Sequence, residues 1–241
     1  MRDPLSLGGL LSSRGDVLTS FHKGVNSTIH ACVYVLQFNT EDGLERAENT
    51  RAELKRQGIK FNIMSSRYPD RDNWPVTCLN HNGYIGMWRT YLAAWTRATH
   101  KCKAKWAIFL ESDAVLPKEF NTSLVTALEK HRFSRAIWLD ERNGFRGEAS
   151  NCCTVATAWH RSTWSILEQD FSPYNPDAWH NGYEKNATRQ PIIKNPVCLT
   201  DWYLGNVVVG RNIKASCYGV VKHPNPQQTR SEIGSSSERR R

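Results

Sequence analysis

Long hydrophobic runs are missing from this chain: no stretch approaches the roughly 18 apolar residues that a membrane-spanning helix needs. Its seven cysteines include no C-x-x-C pair, and that spacing argues against a structural zinc site. The start of the chain, Met1 to Gly15, has no apolar core of the length found in secretory signal peptides. No internal repeat and no second domain are visible, so the sequence predicts one globular unit.

What is present has an ordinary globular composition: 241 residues, of which 39% are hydrophobic and 23% charged. This balance suits a single domain over residues 30–228, between a flexible lead-in at 1–29 and a disordered basic tail at 229–241. The 32 Lys and Arg residues exceed the 23 Asp and Glu residues, which gives a net charge of +9. A basic surface attracts nucleotides, polyanions and anionic membranes alike, so the charge does not select a partner.

The glycosylation sequons and the cysteines do not decide in which cellular compartment the protein works. Glycosylation sequons occur at Asn26, Asn121 and Asn186, and they permit a secretory location without requiring one. We interpret Cys32 and Cys153, which lie in strand-like runs, as packing residues. The sequence leaves both a secretory lumen and the cytoplasm open.

The order of apolar patterns predicts an α/β fold. Residues 31–36 have the composition of a buried strand, 44–57 that of an amphipathic helix ending near Gly58, and 60–64 that of a second strand. Such a strand–helix–strand unit indicates parallel strands joined by a crossover helix. Further helices are predicted from Gly83, after Pro117 and over 161–169, and further strands over 106–110, 135–139, 153–158 and 213–221. The predicted architecture is one domain with a central, mostly parallel sheet flanked by helices.

The stretch 106–117 holds the main candidate site. An apolar run typical of a buried strand stops at two carboxylates, Glu111 and Asp113. Ligands bind at the carboxyl edge of open α/β sheets, and side chains two apart on an extended chain point the same way. Two such carboxylates suit a divalent cation whose remaining ligands are phosphate oxygens. The alternative is a solvated acidic turn that caps the next helix.

Beyond these patterns, a series of short motifs resembles glycosyltransferase family 25, the group of bacterial lipooligosaccharide and collagen hydroxylysine galactosyltransferases. The blocks occur in the family's order and span residues 31 to 234, and this chain resembles a divergent member. The blocks are Val33-Tyr-Val-Leu36 with Leu44-Glu-Arg46 and Gly58-Ile59, Gly83-Tyr-Ile-Gly86 with 91–95, Leu110-Glu-Ser-Asp-Ala-Val-Leu116, 154–167, Thr200-Asp-Trp-Tyr-Leu204, and Pro226-Gln-Gln228 with Ser231-Glu-Ile233.

The resemblance implies a GT-A-type, Rossmann-like fold for a nucleotide sugar. It also implies metal-dependent, inverting transfer of a hexose, galactose or glucose, from a UDP-sugar to a hydroxyl group of a glycan or glycoprotein. Three departures from the family pattern matter. Ser112 replaces an Asp of the acidic block, Thr90-Tyr91 replaces a Ser-His pair, and Gln37-Phe-Asn-Thr40 replaces an Asn-Leu-Asp-Arg stretch.

Metal and nucleotide ligands follow from this comparison and from the chemistry of sugar transfer. We expect Asp113, with Glu111 second, to bind the cation, and His223 to complete its shell unless it is an exposed loop histidine. The resemblance implies Mn2+, although Mg2+ accepts the same oxygen ligands. Gln37 and Asn39 are the polar side chains expected to contact the base or ribose.

The general base and the acceptor site are assigned in the same way. Inversion requires a base on the acceptor hydroxyl, for which Asp201 is the first candidate and Asp140, with its neighbour Glu141, the alternative. Asp201 is equally suited to cap a following helix. The long aromatic and Pro-rich segment 172–195 has the length of a substrate lid. Acceptor contacts are expected from Trp179, His180 and Trp202.

Other classes of function stay open. A glycoside hydrolase also uses two carboxylates, but it needs them several ångströms apart on either side of the scissile bond, without nucleotide or metal. A carbohydrate-binding or degenerate transferase-like module without turnover is the second alternative, and Ser112 keeps it open. No zinc finger, helix-turn-helix or aromatic RNA-binding signature is present, so we expect no nucleic-acid partner.

Overall fold

A computed structural model gives the architecture of the chain over residues 18–23, 27–38, 41–66, 82–141, 154–171, 204, 208 and 211–222. Within these residues the predicted strands and helices occur in the predicted order, and an additional strand at Leu18–Lys23 lies inside the stretch 1–29 that is predicted to be a flexible lead-in. The elements in chain order are β1 (Leu18–Lys23), β2 (Ser27–Phe38), α1 (Glu41–Arg56), β3 (Asn62–Ser66), α2 (Asn82–Lys101), β4 (Trp106–Glu111), α3 (Phe120–Lys130), β5 (Ala136–Asp140), β6 (Ala156–His160), a 3₁₀ turn (Arg161–Thr163), α4 (Trp164–Phe171) and β7 (Ala215–Val221).

The described strands form one seven-stranded sheet in the order β1-β2-β4-β6-β5-β7, with β3 paired to β2. β2 pairs in parallel with β3 and β4, and β5 pairs in parallel with β7. β6 runs antiparallel to both β4 and β5, and β1 runs antiparallel to β2. Five of the seven strands, all except β1 and β6, therefore point the same way, which confirms the predicted mixed α/β fold with a mostly parallel sheet.

Helices cover both faces of the sheet because the central strands are apolar on both sides. Along β2, Tyr34 and Leu36 pack on the face covered by α2 and α4, whereas Val33 and Val35 pack on the face covered by α1 and α3. Successive side chains of a strand alternate between faces, so an uninterrupted apolar run requires two layers of helices. This three-layer arrangement leaves the two edges of the sheet, at the strand ends, as places for polar chemistry.

Two glycines position α1 at the carboxyl end of β2. A Cβ atom on Gly43 would lie 2.6 Å from the carbonyl oxygen of Phe38, so only glycine allows the first turn of α1 to pack so closely. At the other end, Gly58 has a φ of +67°, and the amide of Ile59 donates to the carbonyl of Leu54 at 2.9 Å. This is the Schellman pattern of a glycine C-cap, and it confirms the predicted helix end.

Two of the sequence interpretations change in the folded chain. Cys32 is not only a packing residue, because it forms a disulfide with Cys102 across 70 residues. Leu44 begins the stretch 44–57 that is predicted as an amphipathic helix, but it is 37% exposed, whereas Ala47 and Leu54 of the same helix are fully buried. Asn121 of the second sequon lies in α3 with its Oδ1 atom buried, a poor position for glycan attachment. None of the described helices is long and apolar enough to cross a membrane.

Candidate functional site

The acid motif forms a turn at the carboxyl edge of the sheet. β4 ends at Glu111, and the amide of Ala114 donates to the carbonyl of Glu111 at 3.0 Å, which closes the turn. Ser112 is buried inside it, with 5% of its surface exposed. The expectation that Glu111 and Asp113 share one side of an extended strand is therefore wrong, because the chain reverses between them. Both half-buried carboxylates nevertheless belong to one short turn at the expected edge. We call residues 111–114 the acid turn.

Two hydroxyl groups hold the carboxylate of Glu111. The Tyr91 hydroxyl of α2 donates to Glu111 Oε1 at 3.0 Å, and Thr154 Oγ1, just before β6, donates to the same oxygen at 2.6 Å. The Tyr91 hydroxyl also lies 3.3 Å from the carbonyl oxygen of Thr154. Hydrogen bonds to a carboxylate are stronger than neutral ones, so these contacts hold Glu111 in one orientation.

The rest of the turn is anchored from both sides. Thr50 of α1, which is 1% exposed, reaches the carbonyl oxygen of Ala114 at 2.8 Å and that of Ser112 at 3.3 Å. Immediately after the turn, Val115 and Lys222 exchange backbone hydrogen bonds of 2.9 and 3.1 Å. The segment after β4 is thus attached to α1 on one side and to the end of β7 on the other. These hydrogen bonds hold the backbone of the acid turn in place.

Gln37 lies beside the acid turn. The parallel register places Leu36 opposite Glu111, so the next residue of β2 lies at the level of the turn. Gln37 is 4% exposed, and within the described part of the chain its Oε1 atom has no hydrogen-bond partner. A buried amide oxygen without a partner is costly, which suits a group that meets a ligand.

The donor set at this edge fits a cation shared with a diphosphate. Within the described residues, no cluster of three or more His, Cys, Asp or Glu side chains lies together. Glu111 and Asp113 are the two carboxylates that the acid turn offers. Mg2+ and similar hard cations are commonly held by one or two carboxylates, with substrate phosphates and water completing the shell. The described residues do not form a closed metal site in which every ligand comes from the protein.

Asp140 lies at the same edge as Glu111, and one strand, β6, lies between the strands that carry them. The pairing of β6 with both neighbours brings Asp140 and Glu111 to the level of Val155, which separates their backbones by about 10 Å. Asp140 is fully buried, whereas Glu141 is exposed. The end of β5 packs closely on β7, since a Cβ atom on Gly219 would lie 2.8 Å from Cα of Glu141. The structure therefore gives solvent access to Glu141 and none to Asp140.

The remaining predicted site residues lie outside the described residues, and their roles stay predictions. They are Asn39, Trp179, His180, Asp201, Trp202 and His223.

Sequence reasoning missed the residues that support the acid turn. Thr50 and Thr154 carry no local signal, because they lie 62 and 43 residues from their partners Ser112 and Glu111. Tyr91 had a signal, since it occupies the position where the family resemblance expects histidine. The hydroxyl group that stands in place of an imidazole contacts the first acid of the motif.

Comparisons with known proteins identify no family for this chain. No protein-family model matches this chain, and no curated protein matches it. Among solved structures, it is similar to a glycosyltransferase involved in the glycosylation of the major capsid of PBCV-1, with 14% identity, a TM-score of 0.43, and coverage of 86% of this chain and 98% of that chain. The inositol-1-phosphate CTP transferase from T. maritima is 9% identical with a TM-score of 0.45, covering 89% of this chain and 97% of that chain.

A third similar structure is A197 from STIV, with 11% identity, a TM-score of 0.36, and coverage of 81% of this chain and 85% of that chain. With TM-scores below 0.5 and identities of 9–14%, these similarities carry no conclusion about the function of this chain. Membership in glycosyltransferase family 25 stays a prediction.

Proposed function

We propose that this protein is a metal-dependent, inverting glycosyltransferase of the family 25 type that moves a hexose from a UDP-sugar to a hydroxyl group of a glycan or glycoprotein. The observation that carries the proposal is the acid turn. It presents Glu111 and Asp113 at the carboxyl edge of a mostly parallel sheet, anchored by Thr50 and by the contacts of Tyr91. This edge is where α/β sheets bind nucleotides, and a rigid pair of carboxylates is the donor set that a cation–diphosphate complex needs.

The residues of the chain have distinct tasks in this proposal. Asp113 and Glu111 hold a divalent cation, Mn2+ or Mg2+, with His223 as a third ligand. When bound, the cation offsets the negative charge that develops on the departing diphosphate. Gln37 contributes its buried amide to the base or ribose of the donor, together with Asn39.

Proton transfer is the second task. The base has to meet the acceptor hydroxyl, and the side chain of Asp140 has no exposed surface, so the proposal assigns the base to Asp201. Trp179, His180 and Trp202 are the proposed acceptor contacts, because aromatic faces pack well against sugar rings. A hydrolase is less well supported, since Glu111 and Asp113 share one short turn and do not flank a cleft from two separate elements.

A binding experiment tests the proposal. Thermal unfolding of the full chain is measured with UDP, UDP-galactose and UDP-glucose, with MnCl2 and with chelator. A ligand that binds only the folded state raises the unfolding temperature, and we expect this rise only when metal is present. Asp113→Asn removes a ligand charge at constant size and should abolish the rise. Glu119→Gln, an exposed acid on the same connection, is the matched control and should keep it.

Turnover is then measured as UDP release with and without a hydroxyl acceptor. Binding of UDP-sugar that is equal in MnCl2 and in chelator, or that persists in Asp113→Asn, would refute the metal assignment. Metal-dependent binding without UDP release from any of several sugar acceptors would favour the degenerate, binding-only module.

A further inference from the structure

The amino edge of the sheet, opposite the acid turn, carries a row of exposed cations. The row consists of Lys105 before β4, Arg161 after β6, Arg135 before β5 and Lys214 before β7. Backbone hydrogen bonds join the four segments: Arg161 N to Lys105 O at 2.9 Å, His160 N to Arg135 O at 2.9 Å, and Arg135 N to Lys214 O at 2.7 Å. Since neighbouring strands lie about 4.8 Å apart, the four backbone segments together span about 14 Å along this edge.

Further cations and one exposed aromatic side chain lie beside this row. Phe133, in the connection between α3 and β5, is 73% exposed, the largest exposed fraction among the large apolar side chains of the described residues. The guanidinium group of Arg132 lies 4.8 Å from the centre of its ring. Further exposed lysines precede β4 and β5: Lys101 and Lys130 end α2 and α3, and Lys103 follows α2.

Two acids of the described residues on this side of the molecule pair with cations outside the row. Glu168 of α4 lies 3.2 Å from His100, and Asp170 is bound by Arg211. Burial raises the pKa of the Asp170 carboxyl group, and Arg211 opposes that rise. These two carboxylates therefore offset His100 and Arg211, and they do not neutralise the row itself.

His160 lies within range of two cations of the row. Its pKa is lowered first by burial and then by the positive charges of Lys105 and Arg135. A nearby positive charge disfavours protonation of an imidazole, so the direction of this shift agrees with the geometry.

We propose that this basic edge, defined as Lys105, Arg135, Arg161 and Lys214 with Phe133 beside them, docks the protein on an anionic phospholipid surface. A row of cations along one edge of the sheet suits a plane of lipid phosphates, and an exposed aromatic ring next to it inserts at the level of the headgroups. Single-stranded nucleic acid is the competing polyanion. It favours several aromatic platforms on which successive bases stack, whereas the described part of this edge exposes one large aromatic ring, that of Phe133.

The position of the basic edge determines the orientation of the docked protein. Glu111 ends the strand that follows Lys105, and a strand of this length separates the two edges by about 17 Å. The acid turn then faces away from the bilayer. This consequence rests on the proposed function, and it implies that the acceptor hydroxyl comes from the aqueous side and not from a lipid headgroup of the same surface. Docking itself does not depend on sugar transfer.

Vesicle sedimentation tests the docking. The full chain is mixed at 0.1 M salt with vesicles of phosphatidylcholine alone or with 30% phosphatidylserine. We expect binding only to the anionic vesicles, and release by 0.5 M salt because exposed charges are screened. Each cation near an anionic surface is worth about fivefold in affinity, so Lys105→Glu/Arg135→Glu/Lys214→Glu should weaken binding by about 100-fold or more. Phe133→Ser should weaken it by less, without a change in charge.

A matched control separates the basic edge from net charge. Lys222→Glu, at an exposed lysine after β7 on the opposite edge of the sheet, is compared with Lys105→Glu and should bind nearly as the parent protein does. An equal loss in these two single variants, or equal binding to neutral and anionic vesicles, would overturn the proposal. Tight, salt-sensitive binding to a 20-nucleotide RNA without vesicle binding would assign the edge to nucleic acid. A sugar transferase that fails to sediment would leave the proposed function intact.

Discussion

The hydroxyl group of Tyr91 lies 3.0 Å from Oε1 of Glu111, so the middle of α2 holds the carboxylate at the end of β4. Tyr91 is fully buried. The centre of its ring lies 5.8 Å from that of Phe109, which precedes Glu111 by two residues in β4. The tyrosine is therefore itself fixed in place. A rigid element that orients a ligand through a hydrogen bond is the usual way in which a protein tunes a cation site.

Tyr91→Phe removes this hydrogen bond while keeping the buried ring. Under the proposed function we expect the metal-dependent affinity for UDP to fall by about 10–100-fold, the usual cost of losing a group that orients a metal ligand. Titration calorimetry with UDP and MnCl2 measures the change. Tyr218→Phe is the control, because Tyr218 packs near His131 and Lys130 and should leave the affinity as it is. Equal affinities in the Tyr91→Phe variant and the parent would remove Tyr91 from this role.

Thr50→Val tests the anchor between α1 and the acid turn. Valine has the shape of threonine but leaves the carbonyl oxygens of Ser112 and Ala114 without their donor. The buried position predicts a loss of about 1–3 kcal/mol in the free energy of unfolding, measured by urea denaturation. Thr126→Val is the control, because Thr126 only bonds back to the carbonyl of Thr122 on the helix surface. A loss in the control as large as that at Thr50 would contradict the assigned contact.

The disulfide between Cys32 and Cys102 predicts a covalent link between two distant peptides. Digestion without reductant should yield a peptide pair joined through these residues, and reductant should separate it. Because the bond closes a loop of 70 residues, Cys32→Ala/Cys102→Ala should lower the free energy of unfolding by about 2–4 kcal/mol. Cys217→Ala, at a half-buried free thiol, is the control. Rapid alkylation of Cys32 in unreduced, denatured protein would show that the bond is absent.

His160→Asn tests the electrostatics of the amino edge through pH. The histidine accepts a hydrogen bond from the Ser162 amide, and asparagine can keep that cap without titrating. Burial, with Lys105 and Arg135, lowers the folded-state pKa of His160 below its ordinary 6.5. A depressed pKa means that its contribution to stability is complete above pH 6.5 and is lost as pH falls through the folded-state pKa. Unfolding temperatures between pH 8 and 5 should therefore fall less in His160→Asn, and identical slopes would argue against the shift.

Several features of this protein could be predicted because their causes are local. Apolar runs with a period of two or of 3.6 residues marked β2, β4, β5, α1 and α3 within a few residues of their observed bounds. Gly58 identified the end of α1, since only a residue tolerant of positive φ completes that cap. The place of Glu111 at the end of a buried strand followed from the same pattern, because a sheet binds ligands where its strands stop.

Other features depend on which segments meet, and no local pattern encodes them. The chain reverses at Ser112, so the two carboxylates share a turn and not a strand face. The direction of β6, antiparallel to both of its neighbours, also escaped the sequence pattern, which is the same for either pairing.

The sequence by itself determined that this chain is an α/β protein with acids at a strand end and a surplus of positive charge. Only the tertiary structure decided that Tyr91, Thr154 and Thr50 converge on the acid turn, and that cations from four separate connections line up at the opposite edge. The physical reason is range: the pattern of apolar residues responds to burial within a few residues, whereas these contacts join groups 20 or more residues apart that only the packed sheet brings together.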